Sequence, residues 1–470
     1  MTMHIVKKII SFFLIVALMQ LSWVRSAPAF SITEEREVGE KLLYQVRKAF
    51  SLFDEPDIAQ YFNELGREIL DVAGIQYFDY HFFVINDKEF NAFAAPSGLI
   101  FFHSGLIETM NREDELVSVM AHEIGHIVSR HISSRIETGG KVSAAALALA
   151  VAGLALGGGA LSQAMMTGSL AAGEAVNLHF SRQDEQEADL LAYDWIKKLE
   201  RNPEAQEEML KTMRRVVRYR MGQVPQYLLT HPDPEARLDY VQSLLALEKQ
   251  KGKVWKEADD FKFSRMKYRV LAQLEDGVRY RLQWGRQATD PNASRFAQVM
   301  ATYGLALLDL AENNFSSARQ RLTEVALYFP KQTLLLVDQG VVELAAGNFP
   351  RALELIEQAH LKDRHDQWAQ YQLARVRLAL GEQDRAAQIF LEVARMLPDF
   401  SKVYFELGRI RTAQNRTGDA ACYLGKYYLY GGRTKLARQN LKLAMEDADT
   451  SQDLKKEAKA LLETLKRLEE

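Results

Sequence analysis

The spacing of apolar residues along the 470-residue chain predicts a mainly helical protein. From residue 33 to residue 70 the apolar positions recur every three to four residues, which is typical of amphipathic helices, and we expect two helices there. A further strong helix is predicted over residues 114–135. Asn111 is its expected N-cap. Acidic residues fill its first turn, where their negative charge interacts favourably with the helix dipole.

Three short segments carry β-forming residues instead. Residues 80–85 are rich in aromatic and β-branched side chains and end at an Asn-Asp turn signal. Residues 91–95 and 99–102 are predicted to form two more strands around a turn at residues 96–98. Because a proline and a glycine in that turn are unsuited to a central strand, at least one of these strands should lie at the edge of a small sheet.

The C-terminal half repeats with a period of 34 residues. One series of small residues at this spacing is Ala318, Ala352, Ala386 and Ala420. A second series of small residues precedes it in each repeat: Ala306, Gly340, Ala374 and Gly408. A large apolar residue follows four positions after each member of the first series: Leu322, Ile356, Phe390 and Leu424. A helix-turn-helix period of this length resembles the tetratricopeptide repeat. The resemblance implies an α-solenoid over residues 255–470, whose concave face usually docks a protein. A helical array that only packs is the alternative.

Two uncharged segments bear on the cellular compartment. Lys7 and Lys8 precede an apolar run that ends near small residues, and this order is typical of a secretory signal peptide over residues 1–29. An uncleaved anchor is the alternative. Residues 142–173 carry no charge, and we expect a partly buried helical hairpin there. Peripheral membrane contact and a mobile lid are its other interpretations.

Composition narrows the possible chemistry. Hydrophobic residues make up 47% and charged residues 26% of the chain, which is usual for globular proteins. The formal net charge of −3 gives no reason to expect nucleic acid as a partner. Cys422 is the single cysteine, so an internal disulfide and a cysteine-based metal site are excluded.

The sequence His-Glu-Ile-Gly-His lies within the predicted helix. His122 and His126 are four residues apart and therefore point the same way, forming half of a tetrahedral zinc site. Glu123 stands beside them, placed to take a proton from water at the metal. Incidental histidines in a core helix are the alternative, but buried unpaired histidines are costly. The pattern therefore predicts a zinc endopeptidase.

The third zinc ligand is not fixed by this helix. Ile132 stands where a metzincin would carry its third histidine, so that class is excluded. His131 is the nearest later histidine. In a continuous helix it would lie half a turn away from the direction of His122, so we predict a structural role for it.

A gluzincin takes its third ligand, a glutamate, from a later helix, and residues 181–189 supply the candidates. Glu185 and Asp189 share a helical face, whereas Glu187 points away from both. An acid one turn after the ligand could hold a ligand histidine by its other ring nitrogen. Spacing alone hardly distinguishes Glu185 from Glu187 as the third zinc ligand.

Four stretches together resemble the HtpX-related family-48 gluzincin metallopeptidases: residues 91–98, 115–131, 181–189 and 230–238. The resemblance covers nearly all the chain after the leader. It implies one zinc ion per chain, Glu185 as the third ligand and Asp189 as the residue that supports a ligand histidine. It also implies a helical protease domain with a small edge sheet over residues 30–250, followed by the repeats.

The signal peptide and the repeats are typical of periplasmic members of this family. The resemblance therefore implies unfolded or misassembled proteins as substrates. It also implies a protease and chaperone role in quality control of outer-membrane β-barrel proteins, with the repeats contacting the barrel-assembly machinery. Two other functions are consistent with the sequence. One is a non-proteolytic scaffold or chaperone with a vestigial zinc site, and the other is a membrane-integral metalloprotease that uses residues 142–173 as a hairpin.

His231 lies in a proline-restrained loop that enters a helix. The family resemblance places the matching histidine near the metal, where two roles are open. It could donate to the oxyanion of the reaction, or it could take the open zinc position and inhibit the enzyme, which we favour. Arg237 is expected to steady either arrangement. A solvated loop histidine is the third interpretation.

The substrate is expected to lie extended along the predicted edge strand and to pair with it as an added strand. The residues of this strand are Asn91, Ala92, Phe93, Ala94 and Ala95.

Overall fold

The computed structural model describes residues 31–139, 180–219, 226–249 and 253–469. The predicted signal peptide, residues 1–29, and the predicted hairpin, residues 142–173, lie outside the described residues. Within the described ranges, no helix combines the length and the apolar character that a membrane crossing requires.

The N-terminal half packs helices around a small sheet. Numbered over the described residues, its elements are α1 (Ile32–Ala49), α2 (Pro56–Ala73), β1 (His81–Ile85), β2 (Ala92–Ala95), β3 (Leu99–His103), α3 (Ser104–Thr109), α4 (Glu113–Val128), α5 (His131–Gly139), α6 (Arg182–Lys198), α7 (Glu204–Tyr219), α8 (Gln226–Thr230) and α9 (Pro234–Lys249). The strand order is β1-β3-β2, with β1 parallel and β2 antiparallel to β3. β2 thus lies at an edge of the sheet, as predicted. A single 3₁₀ turn at Pro96–Gly98 joins it to β3.

The predicted helix over residues 114–135 is in fact two helices. α4 ends at Val128 because Arg130 adopts a left-handed backbone conformation, with φ of 52°. The Arg130 side chain supports this conformation, since its Nε donates to Oε1 of Glu35 at 3.0 Å. α5 then begins at His131 in a new direction, which the apolar spacing did not show.

The predicted N-cap of α4 is also wrong. Arg112 occupies the cap position and supplies no side-chain hydrogen bond. Asp260, from the other half of the chain, accepts from the backbone N–H of Glu113 at 3.2 Å. The N–H of Asn111 instead donates to Glu115 at 3.0 Å. The cap is thus supplied by a tertiary contact, which local sequence cannot reveal.

The C-terminal half is an array of helix pairs, as predicted. Its helices are α10 (Asp260–Leu271), α11 (Gly277–Thr289), α12 (Arg295–Ala311), α13 (Phe315–Tyr328), α14 (Leu334–Ala345), α15 (Phe349–Lys362), α16 (Gln367–Ala379), α17 (Gln383–Met396), α18 (Ser401–Ala413), α19 (Thr417–Tyr430), α20 (Thr434–Glu446) and α21 (Gln452–Glu469). The small residues mark the crossings: a Cβ on Gly340 would lie 2.5 Å from Cγ1 of Ile356. Such contact leaves room only for glycine.

α10 joins the two halves. Phe263 is buried in the core of the N-terminal half, whereas Phe261 is buried in the core of the first repeats. Arg265, between them, is buried and paired with an acid on each side. Its Nη1 lies 2.8 Å from Oδ2 of Asp57 in α2, and its Nη2 lies 2.7 Å from Oδ1 of Asp338 in α14. The repeats are therefore fixed to the N-terminal half by a buried ionic bridge.

Candidate metal centre

The site forms where α6 crosses α4. At the crossing, a Cβ on Gly125 would lie 3.2 Å from Cα of Ala188, so the glycine of the His-Glu-Ile-Gly-His sequence allows a close approach of the two helices. α4 is buried along nearly its whole length. The approach therefore brings the buried acidic face of α6 directly against the two histidines.

Four side chains converge in the buried centre: His122, His126, Glu185 and His231. One potential ligand atom from each lies within 4.8 Å of all the others. Nε2 of His122 is 3.0 Å from Nε2 of His126. The carboxylate of Glu185 lies 3.5 Å from the first of these nitrogens and 3.4 Å from the second. Imidazole nitrogens and a carboxylate are the donor set of catalytic zinc sites, so the residues fit this metal.

Asp189 and Arg237 support the cluster from outside. Oδ1 of Asp189 lies 2.9 Å from Nδ1 of His122, the ring nitrogen that faces away from the cluster. Arg237 donates through Nε and Nη2 to both oxygens of Asp189, each at 2.8 Å, and its Nη1 lies 2.8 Å from Glu185. A bidentate guanidinium thus fixes both acids, and Asp189 in turn fixes the ring of His122.

The electrostatics of the cluster favour metal-binding protonation states in both acids and in His126. Burial and Arg237 oppose charge on His122, but Asp189 and Glu185 raise its pKa to about 9, so a bound metal ion would have to displace that proton. Burial opposes charge on Glu185, but His231 and Arg237 hold the pKa of its carboxyl well below the usual range. Burial also opposes charge on Asp189, yet Arg237 and His122 lower its pKa to about 2. Burial lowers the pKa of His126 well below its usual value. Anionic carboxylates and a neutral imidazole are the forms that ligate a metal.

Glu123 lies at the rim of the cluster and is fully buried. Its Oε2 accepts from the backbone N–H of Ala94 in β2 at 2.8 Å. Its Oε1 accepts from the hydroxyl of Tyr227 at 3.4 Å and lies 3.6 Å from Nε2 of His231. Its carboxylate therefore stands between the edge strand and the four converging side chains, as a general base requires.

His231 belongs to the buried centre. It follows α8 directly and is 0% exposed, so the interpretation as a solvated loop histidine is wrong. Its Nδ1 lies 3.0 Å from Oε1 of Glu185 and 3.4 Å from Nε2 of His122. Tyr227 stacks on its ring, with centroids 4.3 Å apart. No pattern in the sequence points to Tyr227, because its contacts depend on the short helix α8.

Comparisons with known proteins indicate a peptidase domain followed by repeats. The family model of peptidase family M48 matches residues 56–245, and a tetratricopeptide repeat model matches residues 343–404. The Beta-barrel assembly-enhancing protease of Escherichia coli (strain K12) is 28% identical over 408 residues, which cover 86% of this chain and 82% of that protein. The protein of the same name from Yersinia pestis is 26% identical over 360 residues, which cover 76% of this chain and 72% of that protein. The Mitochondrial metalloendopeptidase OMA1 of Schizosaccharomyces pombe is 30% identical over 185 residues, which cover 39% of this chain and 52% of that protein.

The chain carries a family-M48 peptidase domain followed by tetratricopeptide repeats. It is a metalloendopeptidase, and the enzyme class predicted from His-Glu-Ile-Gly-His is confirmed. All four converging side chains and Glu123 lie within the matched M48 segment.

Glu185 and Glu187, the two candidates for the third ligand that spacing hardly distinguished, occupy different places in the M48 domain. Glu185 is buried and faces the histidines. The side chain of Glu187 is 59% exposed, and its Oε1 accepts from Oγ of Ser129 at 2.7 Å. Glu187 thus lies outside the four converging side chains. His131 is also outside them: it lies behind His126, with the two Nδ1 atoms 2.9 Å apart.

The predicted substrate strand borders the centre through one residue. Asn91 and the four residues of β2 are buried. Phe93 turns its ring onto Phe101, with centroids 4.8 Å apart, and so contributes to the core. Ala94 alone among them bonds to Glu123. Its N–H points away from β3, which is the direction an added strand would need.

Proposed function

We propose that the chain is a zinc-dependent endopeptidase and chaperone of the periplasm that acts on unfolded or misassembled outer-membrane β-barrel proteins. The observation that supports the activity is the buried cluster of His122, His126 and Glu185 with Glu123 at its rim. The Escherichia coli and Yersinia pestis relatives are named Beta-barrel assembly-enhancing protease, which supports the client class.

In this proposal His122, His126 and Glu185 hold the zinc ion. A bound Zn²⁺ supplies a Lewis acid at the peptide carbonyl. Glu123 accepts a proton from the attacking water and returns it to the leaving amine. The N–H of Ala94 keeps the Glu123 carboxylate aimed at the centre. The client chain lies extended along β2 and pairs with the edge that faces away from β3, where it takes over the Ala94 N–H from Glu123.

We further propose that His231 restrains the enzyme at rest. Its ring reaches the cluster from the side of Glu123 and adds a fourth protein donor to the set. A fourth donor fills the position that a catalytic zinc site keeps open for water. Tyr227 stacks on the ring and donates to Oε1 of Glu123, and Nε2 of His231 lies 3.6 Å from the same oxygen. Withdrawal of His231 would therefore remove one of the two groups that face this oxygen of the base. Client binding supplies the energy for that withdrawal.

The repeats hold the client and contact the barrel-assembly machinery. Tetratricopeptide arrays present a concave face that docks proteins. The buried bridge from Asp57 through Arg265 to Asp338 fixes the array to the M48 domain. A client held on the repeats would thereby remain at a set distance from the metal centre.

One experiment tests the client class. A purified outer-membrane β-barrel protein is offered to the mature enzyme twice, once unfolded by dilution from urea and once folded in detergent. We expect cleavage of the unfolded form only, and no cleavage of either form by a Glu123→Gln variant. Equal cleavage of both forms, or of neither form by an enzyme that cleaves short peptides, would contradict the proposed client class.

A further inference from the structure

The two histidines of α4 are held in different ways at their outer ring nitrogens. Nδ1 of His122 has a carboxylate partner, Asp189, at 2.9 Å. Nδ1 of His126 has another imidazole, His131, with the two Nδ1 atoms 2.9 Å apart. Both rings of this second pair are buried. No residue of the His-Glu-Ile-Gly-His sequence itself provides such support for His126.

The end of α4 creates this contact. Residues five apart on a continuous helix point about 140° away from each other, so an unbroken α4 would carry His131 away from His126. The left-handed conformation of Arg130, with φ of 52°, breaks the helix instead. The chain turns back, and the first residue of α5 returns to the ring of His126. The bond between Arg130 and Glu35 therefore has a consequence at the metal centre.

Proton placement follows from the geometry. Nε2 of His126 faces His122 and Glu185, so as a neutral ligand His126 carries its proton on Nδ1. That N–H donates to Nδ1 of His131, whose own proton then lies on Nε2. This Nε2 is buried and makes no hydrogen bond to the described residues, but two carboxylates face it, with Oε2 of Glu187 at 3.5 Å and Oδ1 of Asp184 at 3.9 Å.

We propose that His131 is a positioning residue that fixes the ring of His126 for metal binding by accepting its Nδ1–H. The inference rests on the proposed role of His126 as a zinc ligand. It assigns to His131 the task that Asp189 performs for His122, with an imidazole in place of a carboxylate. Glu187 and Asp184 support the far nitrogen only weakly, because solvent screens the exposed Glu187 and the Asp184 oxygen is 3.9 Å away.

Packing alone is the competing explanation. Phe180 stacks on His126 with ring centroids 3.8 Å apart, and it also lies 6.3 Å from the ring of His131. If stacking by Phe180 holds His126, then His131 only fills space. The two explanations differ in what a substitution of His131 does to metal affinity, as opposed to stability.

The test measures the zinc dissociation constant of the full mature chain by competition with a chromogenic chelator. His131→Asn keeps an acceptor near the position of Nδ1, His131→Gln places its amide near Nε2, and His131→Leu has no acceptor. We expect the Leu and Gln variants to bind zinc about 10- to 100-fold more weakly than the wild type. The Asn variant should recover most of that loss. Melting of the metal-free proteins reports stability separately.

Two results would overturn the proposal. One is zinc affinity of the Leu and Gln variants within about threefold of the wild type, well short of the loss expected for a ligand's hydrogen-bond partner. The other is an Asn variant as weak as the Gln variant at equal melting temperature. If the Leu variant does not fold, the comparison of Asn with Gln decides alone. Failure of the wild type to bind zinc would instead contradict the proposed function itself.

Discussion

Oε2 of Glu123 accepts a hydrogen bond from the backbone N–H of Ala94 at 2.8 Å. The bond joins the proposed general base on α4 to the proposed substrate strand β2. Because the Ala94 N–H points away from β3, it is a donor that an added strand would use. Occupation of the strand edge and the position of the base are thus linked in the M48 domain.

Metal binding should depend on Glu185 and not on Glu187. Glu185→Ala removes one of three proposed zinc ligands, and two imidazoles alone hold the ion poorly. Glu187→Ala is the matched control, because it removes an acid two residues away whose side chain is largely exposed. Metal analysis of both purified variants should show zinc lost in the first and kept in the second. The reverse pattern would mean that the ligand helix is assigned in the wrong register.

The direction of change in His231→Ala distinguishes its two possible roles. If His231 restrains the enzyme, the variant should cleave a peptide faster than the wild type or degrade itself. If His231 donates to the oxyanion, turnover should fall by about 10²-fold or more. Initial rates with matched zinc content decide between them. A rate below that of the wild type, with zinc still bound, would exclude the restraining role.

Much of the fold could be predicted from local pattern. The edge position of β2 and the 34-residue helix pairs depend on apolar spacing, on turn residues and on small residues at crossings, all of which are visible in the sequence. The break of α4 was missed because it depends on Arg130 bonding to Glu35, 95 residues earlier. The N-cap was missed because Asp260 supplies it from 147 residues later.

The residues of the candidate site also fall into those that local spacing predicts and those that tertiary packing brings together. His122 and His126 could be paired from their spacing, since a helix dictates where side chains four apart point. Glu185 and His231 come from other elements, so residue spacing left their roles open and only the family resemblance favoured them. Tyr227 was missed altogether, because its contact with Glu123 arises from tertiary packing.

The repeat crossings predict a glycine-specific effect on stability. Gly340→Ala places a Cβ 2.5 Å from Ile356 and should lower the free energy of unfolding by about 1–3 kcal/mol through overpacking. Gly285→Ala is the control. It also lies within a helix, but its Cβ would meet nothing within 4 Å, so it should be neutral or stabilise by up to about 1 kcal/mol. Urea unfolding followed by circular dichroism compares the two. Equal loss in both would contradict the assigned crossing.

Asp366 predicts a pH-dependent contribution to stability. It caps α16 by accepting from the N–H of Ala369 at 3.0 Å, but burial raises its pKa to about 6. The unfolded chain ionises this group near the ordinary aspartate pKa of 3.8, so the folded state binds more protons between these two pKa values. Stability from this group therefore falls as pH rises from about 4 to about 6.

An Asp366→Asn variant tests this sign. Asn can still cap the helix but carries no charge. Its free energy of unfolding, relative to that of the wild type, should increase by about 2–3 kcal/mol between pH 4 and pH 7. Urea unfolding of both proteins across this range measures the difference, and all other titrating groups cancel in it. Parallel pH profiles would show that Asp366 is ionised normally in the fold.

The buried cluster is proposed to be a zinc endopeptidase centre with Glu123 as its base. The most direct measurement pairs zinc content with peptide cleavage in Glu123→Gln. The amide has the shape of the carboxylate but cannot take the proton, so we expect one zinc ion per chain and a cleavage rate lower by about 10²-fold or more. Cleavage at the wild-type rate by the zinc-loaded variant would show that Glu123 is not the base.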